Sequence, residues 1–256
     1  MDRLKKVRRL LIANRGEIAV RIARTAADMG IETVAIHSPD DINCLHLRHA
    51  DRVVELKGAG VGAYLDSDQV IEIAQANECD AIHPGYGLLS ENTAFVAACE
   101  ERGLIFVGPT VETMSLQGDK VAARAFAQKI GIPVIEGVDD VPDAAAAIAF
   151  FRAQGGRPVM LKAVNGGGGR GMRILREEGE IAGAFAQCQA EARTSFGDSS
   201  LYAELFLPAV RHIEVQIVGD GTTVTHLWER DCSIQRRNQK IIELAPAPRL
   251  DPALRA

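Results

Sequence analysis

The chain has 256 residues, 47% hydrophobic, 25% charged and 5% aromatic, which excludes disordered and fibrous classes and suggests one large domain or two smaller ones. A formal net charge of −5 argues against broad, salt-driven binding to nucleic acid, and five scattered cysteines (Cys44, Cys79, Cys99, Cys188, Cys232) without a C-x-x-C pair imply neither a disulfide framework nor a zinc knuckle, which fits a reducing, cytoplasmic setting. The basic N-terminus precedes only a short apolar run at residues 10–13, below the roughly 7 to 15 residues of a signal-peptide core, and no stretch approaches the roughly 18 apolar residues of a membrane span, so neither secretion nor a membrane is expected.

From the N-terminus, strand 9–13 feeds a helix over 14–29, a second strand follows at 33–37, and a third at 79–83 leads to a helix over 91–102. Such alternation predicts a parallel α/β sheet. In the first helix Ile18, Ile22, Ala26 and Met29 recur at helical spacing, Arg21, Arg24 and Asp28 fall elsewhere, and Gly30 stands where a left-handed C-terminal cap is expected. A short strand at 104–107 ends in Gly108-Pro109, and a helix starting near Asp119 closes before Gly131-Ile132-Pro133, strong punctuation that suggests a boundary.

Beyond it come an alanine-rich helix over 142–152, a strand at 158–164, a glycine loop, a second strand at 172–175 and a helix over 179–193. From Leu201 strands return, at 201–206, 212–218 and 222–228, the last two joined by Gly219-Asp220-Gly221 as the opening of an antiparallel sheet.

The loop Asn165-Gly166-Gly167-Gly168-Gly169-Arg170-Gly171 leaves backbone N–H groups unshielded, so it can close over phosphate oxygens, although an ordinary glycine turn would read the same in isolation. Its context is not a Walker A loop, since it leads into a strand and lacks a terminal Gly-Lys-Ser/Thr. Lys162, on the strand entering it, is close enough for its ammonium to reach the same phosphates; the alternative is a solvated strand lysine. Asn14-Arg15-Gly16-Glu17 opens a helix after a strand but lacks the G-x-G-x-x-G spacing, which rejects a nicotinamide site and leaves Arg15 and Glu17 as structural pairs or subunit contacts. The stretch 229–240 packs four cations, two carboxylates and three amides into twelve residues, a solvated face or a concave anion site. Cys44, His46 and His49 could suggest a metal site but lack a fourth partner, and His83 sits at a strand end before a Pro/Gly turn.

These residues resemble biotin carboxylases, the ATP-grasp subunits or domains of acetyl-CoA, propionyl-CoA, methylcrotonyl-CoA and pyruvate carboxylases. The likeness rests on Ile12-Ala13-Asn14-Arg15-Gly16-Glu17-Ile18-Ala19, His83-Pro84-Gly85-Tyr86-Gly87-Leu88-Leu89-Ser90-Glu91-Asn92, Gly118-Asp119-Lys120, the glycine hairpin, and 229–240 with Ala245-Pro246-Ala247-Pro248. It implies a Rossmann-like parallel-sheet pre-ATP-grasp domain (1–115), an ATP-grasp part with a glycine-hairpin lid (116–205), and the beginning of a second ATP-grasp lobe (206–256).

The implied reaction phosphorylates bicarbonate with ATP to carboxyphosphate, which delivers CO2 to biotin on a carrier domain for a separate carboxyltransferase. Lys120 and Lys162 would hold the ATP phosphates, Gly167, Gly168, Gly169 and Met172 would form the lid, Glu204 and Leu207 would receive adenine, and His212, Gln235 and Asn238 would lie on the nucleotide side. Lys240 would face bicarbonate and the reactive intermediate as the catalytic cation. Magnesium or manganese would accompany ATP, with no metal ligand expected within this chain, and the family's habit predicts a homodimer. Two departures stand out: Leu205 and Asn238 occupy positions where the family commonly has lysine and histidine, and the chain stops before the region of the metal-binding carboxylates. The expectation is therefore an N-terminal piece of a carboxylase with little turnover alone. The competing readings are a non-catalytic nucleotide-binding or dimerisation module, and another ATP-grasp ligase such as a carbamoyl-phosphate synthetase.

Overall fold

A computed structural model describes residues 6–164, 171–236 and 239–255. They divide into two compact units, Met1–Gly118 and Asp119–Ala256.

The first unit runs β1 (Arg9–Ile12), α1 (Gly16–Asp28), β2 (Glu32–His37), β3 (Arg52–Glu55), α2 (Gly60–Tyr64), α3 (Ser67–Ala76), β4 (Ala81–His83), α4 (Thr93–Glu101), β5 (Ile105–Phe106) and α5 (Val111–Gly118). Its strands form one parallel sheet ordered β3-β2-β1-β4-β5, so the order switches between β1 and β4, the place where α/β sheets open a crevice at their carboxyl ends. Side chains alternate across β1: Leu11 and Ala13 join Val34, Ile36, Ile82 and Phe95 on one face, while Leu10 and Ile12 join Ala19, Ile22, Ala23 and Ala26 beneath α1 on the other. Burial on both faces is why these strands read as continuous apolar runs.

Helix α1 departs from the sequence expectation at both ends. It begins at Gly16 because Asn14 and Arg15 are spent on tertiary contacts, and Met29 is 67% exposed instead of joining the apolar stripe. Met29 is the C-cap, and the chain leaves helical geometry at Gly30, whose φ of 68° is the expected left-handed turn. Likewise α4 starts at Thr93 instead of Glu91, with Asn92 as its cap accepting from the Phe95 N–H at 3.0 Å.

The two longest motifs of this unit meet at Asn14. Its buried amide donates to the carbonyls of Pro84 (2.7 Å) and Tyr86 (2.9 Å), and its carbonyl accepts from the Arg15 N–H at 2.8 Å. Tyr86 donates its hydroxyl to Glu17 at 2.8 Å. Arg15 pairs with Asp41 at 3.1 Å and lies 5.5 Å over the Tyr64 ring, the structural role expected of it. Burial opposes the charge on Asp41, but hydrogen bonds from Tyr64, Cys44 and Arg15 hold its carboxyl below the usual range. The Cys44, His46, His49 spacing is spent on packing: Cys44 donates to Asp41 at 3.4 Å and the buried His46 has Nε2 3.2 Å from the Ile36 carbonyl.

The second unit runs α6 (Lys120–Lys129), β6 (Gly137–Val138), α7 (Ala144–Ala153), β7 (Val159–Ala163), β8 (Met172–Leu175), α8 (Ile181–Phe196), β9 (Leu201–Leu205), β10 (Ile213–Gly219), β11 (Val224–Arg236), β12 (Gln239–Leu244) and α9 (Pro252–Arg255). Gly131-Ile132-Pro133 closes α6 inside this unit and marks no division between units. Two antiparallel sheets form, β6-β9-β7-β8 and β10-β11-β12. On β7, Val159, Leu161 and Ala163 face a core shared with Leu175, Ile181, Phe185, Cys188, Leu201 and Ala203, which turns Met160 and Lys162 to the opposite face. The strand expected over 222–228 continues to Arg236, so the charge-dense stretch is mostly β11 paired with β12, and cross-strand pairing is what its charges serve.

Gly85 has φ 65°, and a Cβ there would lie 2.7 Å from the Asn14 Nδ2. Gly85→Ala is expected to destabilise the first unit by about 2 kcal/mol, read as a lower urea midpoint in chemical denaturation followed by circular dichroism.

Candidate functional site

The face of the β6-β9-β7-β8 sheet turned away from its core gathers three of the residues singled out by sequence, Lys162, Met172 and Glu204. Lys162 on β7 is in register with Met172 on β8 and with Tyr202 on β9, and Met160 is in register with Glu204. Side chains in register or two residues apart share a face, so Lys162, Met172, Tyr202 and Glu204 lie together. The Lys162 ammonium is paired with the Glu204 carboxylate and sits 5.8 Å from the centroid of the Tyr202 ring.

Lys120 enters this group from α6. Asp119 caps the helix, accepting from the N–H groups of Val121 (2.9 Å) and Ala122 (3.0 Å), which fixes Lys120 as the first helical residue. The Lys120 ammonium donates to the Val164 carbonyl at 3.2 Å, at the end of β7. Burial and then the nearby charge of Lys162 push its pKa below the ordinary lysine value. An ammonium held beside a second cation in this way is a ready counterpart for an anion. Leu207 lies just past β9 and is half exposed, following backbone anchors from Leu205 N–H to Glu136 (2.8 Å) and Phe206 N–H to Pro158 (2.9 Å). Gly167, Gly168, Gly169 and Asn238 lie outside the described residues.

A second group forms on the β10-β11-β12 sheet. Glu214 is the register partner of Arg230, and its carboxylate is gripped by both Arg230 and Lys240. The hydrogen bond from Lys240, then that from Arg230, holds the Glu214 carboxyl down to about 2 against the opposing effect of burial. In return Glu214 raises the Lys240 pKa above the ordinary lysine value, so Lys240 is a standing cation and not a base at neutral pH. Gln235 Nε2 lies 3.0 Å from His212 Nδ1, and His212 Nε2 lies 3.8 Å from Glu214. His212, Gln235 and Lys240, chosen from sequence, thus converge. Glu214, Arg230 as its partner, and Tyr202 were missed as site residues; the alternating pattern of 212–218, which sets Glu214 among the polar positions of its strand, was the one available signal.

Glu214, Cys232 and Glu243 place ligand atoms within 4.8 Å of one another. Magnesium takes oxygen donors, whereas one of these three is a buried thiol that burial keeps protonated, and Glu214 is already held by two cations. The group does not fit that ion.

A parallel α/β unit followed by a sheet that presents lysines beside a glycine-rich segment defines the ATP-grasp class, and comparison with known proteins agrees. Residues 6–114 match the family described as Biotin carboxylase, N-terminal domain, and residues 119–256 match Carbamoyl-phosphate synthase L chain, ATP binding domain. The chain belongs to the biotin carboxylase family of ATP-grasp proteins. It is 47% identical over 255 residues to pyruvate carboxylase of Bacillus subtilis, covering 98% of this chain and 22% of that protein. It superposes on the biotin carboxylase–βγ-ATP complex of Campylobacter jejuni with a TM-score of 0.93 and 44% identity, covering 98% of this chain and 56% of that one. The biotin carboxylase domain dimer of the Hydrogenobacter thermophilus 2-oxoglutarate carboxylase, in complex with MgADP, ADP and bicarbonate, gives a TM-score of 0.92 at 39% identity, covering 98% of this chain and 56% of that one. The chain therefore spans about half the length of the biotin carboxylase structures it matches and less than a quarter of the pyruvate carboxylase. No helix among the described residues is long and apolar enough to cross a membrane.

Lys120 supplies a pH test. Its pKa is depressed in the free chain, and a bound polyanion favours the protonated form. Affinity is then fully present below the depressed pKa and lost as pH rises through it. Inorganic triphosphate titrated calorimetrically is expected to bind progressively more weakly at alkaline pH, with the decline beginning below the ordinary lysine value of 10.5. Lys120→Arg is expected to flatten that decline, since guanidinium keeps its proton.

Proposed function

We propose that this chain supplies the ATP-binding part of a biotin carboxylase, which uses ATP and bicarbonate to form carboxyphosphate and carboxylates biotin held on a carrier domain. The observation that carries the reading is the convergence of Lys162, Met172 and Glu204 on one sheet face, with the Lys120 ammonium of α6 at the end of β7, within a domain of an ATP-binding family. Lys120 and Lys162 neutralise the phosphates as compact point charges. Lys162 leaves Glu204 when a phosphate arrives, since the phosphate offers more negative charge to the same ammonium. Glu204 and Leu207 border the adenine, and Met172 belongs with Gly167, Gly168 and Gly169 to the lid over the nucleotide. Residues 1–115 are the pre-ATP-grasp domain, 116–205 the part bearing the lid, and 206–256 the first strands of the second lobe.

On that second lobe His212, Gln235 and Asn238 take the nucleotide side, and Lys240 meets bicarbonate. With Glu214 keeping it protonated, Lys240 contributes charge that stabilises a developing oxyanion and takes no proton from it. Magnesium is implied with ATP, and the Glu214, Cys232 and Glu243 group does not fit it. The matching partners are a biotin carrier, a carboxyltransferase and a second copy of the chain, in a cytoplasmic setting that suits five free cysteines.

Calorimetric titration with ATP is expected to give binding that Lys162→Ala weakens on the order of 10-fold; equal affinities for the two chains would remove Lys162 from the site. With ATP, bicarbonate, magnesium and free biotin, the 256-residue chain is expected to release ADP no faster than without biotin. Robust biotin-dependent release would contradict an account in which these residues capture nucleotide but do not complete the reaction.

A further inference from the structure

We propose that Tyr202 is the positioning residue of Lys162: its ring face carries the ammonium and presents it to the nucleotide phosphates. This rests on the proposed ATP site and deepens it.

Tyr202 and Lys162 are directly opposed residues of the β7–β9 pair, so their side chains leave the sheet side by side. The ammonium lies 5.8 Å from the ring centroid, inside the roughly 6 Å range in which a cation is attracted by an aromatic face. Tyr202 is only 7% exposed, so the ring is held by packing, whereas a lysine on its four-carbon stem has many rotamers to lose. A fixed ring beside a flexible ammonium selects among those rotamers before ligand arrives.

The ring differs from the other partner of Lys162 in a way that matters for an anion site. Glu204 also holds the ammonium but cancels its charge, and has to yield to a phosphate. Tyr202 attracts the ammonium through its quadrupole and leaves the full positive charge available. The ring stays neutral throughout: burial first, and the Glu204 charge second, raise the pKa of its hydroxyl. When the phosphate displaces Glu204, Tyr202 is the group that keeps Lys162 in place.

Tyr202→Phe preserves the ring face, and pentafluorophenylalanine at position 202 preserves the shape while removing the attraction for a cation. ATP calorimetry is expected to give the phenylalanine variant an affinity within about twofold of the unaltered chain and the fluorinated variant a loss of about fivefold. In a Lys162→Met background the phenylalanine and fluorinated chains are expected to bind alike, because there is no cation left to couple. Equal affinity of the phenylalanine and fluorinated chains, or a loss that persists in the Lys162→Met background, would overturn the proposal. If the unaltered chain binds no ATP, the proposed function fails and the coupling is read from thermal unfolding of the same four chains. Fluorination that lowers the midpoint with Lys162 present and not with Met in its place upholds the ring's hold on the ammonium, and no such difference overturns it.

Discussion

Antiparallel pairing of β7 with β9 sets Lys162 opposite Tyr202 and Met160 opposite Glu204, and the rest of the candidate site depends on that register. A slip of one residue would turn Lys162 into the core now filled by Leu161 and Ala163, and send those apolar side chains outward. The register is secured from below, where Val159, Leu161, Ala163, Leu175, Leu201 and Ala203 interlock with Ile181, Phe185 and Cys188 of α8. Core packing on one face of the sheet thereby specifies the polar constellation on the other.

Two lysines of the second unit, Lys120 and Lys240, are held in opposite electrostatic settings. Burial, and then the nearby charge of Lys162, disfavour the charged form of Lys120, and an incoming polyanion relieves that. Lys240 is instead satisfied in advance by Glu214, which itself is held ionised by Lys240 and Arg230. The first arrangement gains from binding phosphate. The second holds a fixed positive charge in one place at little reorganisation cost, which is what stabilising a developing negative charge requires.

Much of this was legible in the sequence, for reasons that particular residues make plain. The parallel sheet announced itself through apolar strands buried on both faces, and Lys162 through its position on the strand entering a glycine run. The helix start near Asp119 was readable, whereas the caps Asn92 and Asp143 begin their helices two residues later than the sequence suggested. The segment 50–78 was silent: β3 is short and mostly exposed, and α3 is ten residues long, so neither carries a strong periodic signal. The stretch 229–240 looked like a surface or a concave anion site because its charges are dense, whereas in the fold Arg230 is spent on Glu214 and Asp231 on Arg211 at 2.8 Å. Tyr202 could not be chosen from sequence, since an aromatic residue on a strand reads as core, and its tie to Lys162 exists only once β7 and β9 are in register. The family resemblance supplied the roles of His212, Gln235 and Lys240; their meeting around Glu214 came from the pairing of β10, β11 and β12.

Amide hydrogen exchange of the chain with and without ATP reports where nucleotide acts without requiring turnover. ATP is expected to slow exchange in peptides covering β7 and its approach to Val164, the end of β9 through Leu207, and the first turn of α6, and to leave the α1 and β1 peptides unchanged. Exchange that is unaltered by saturating ATP in those segments, or protection confined to the first unit, would rule out nucleotide binding beside Lys120 and Lys162.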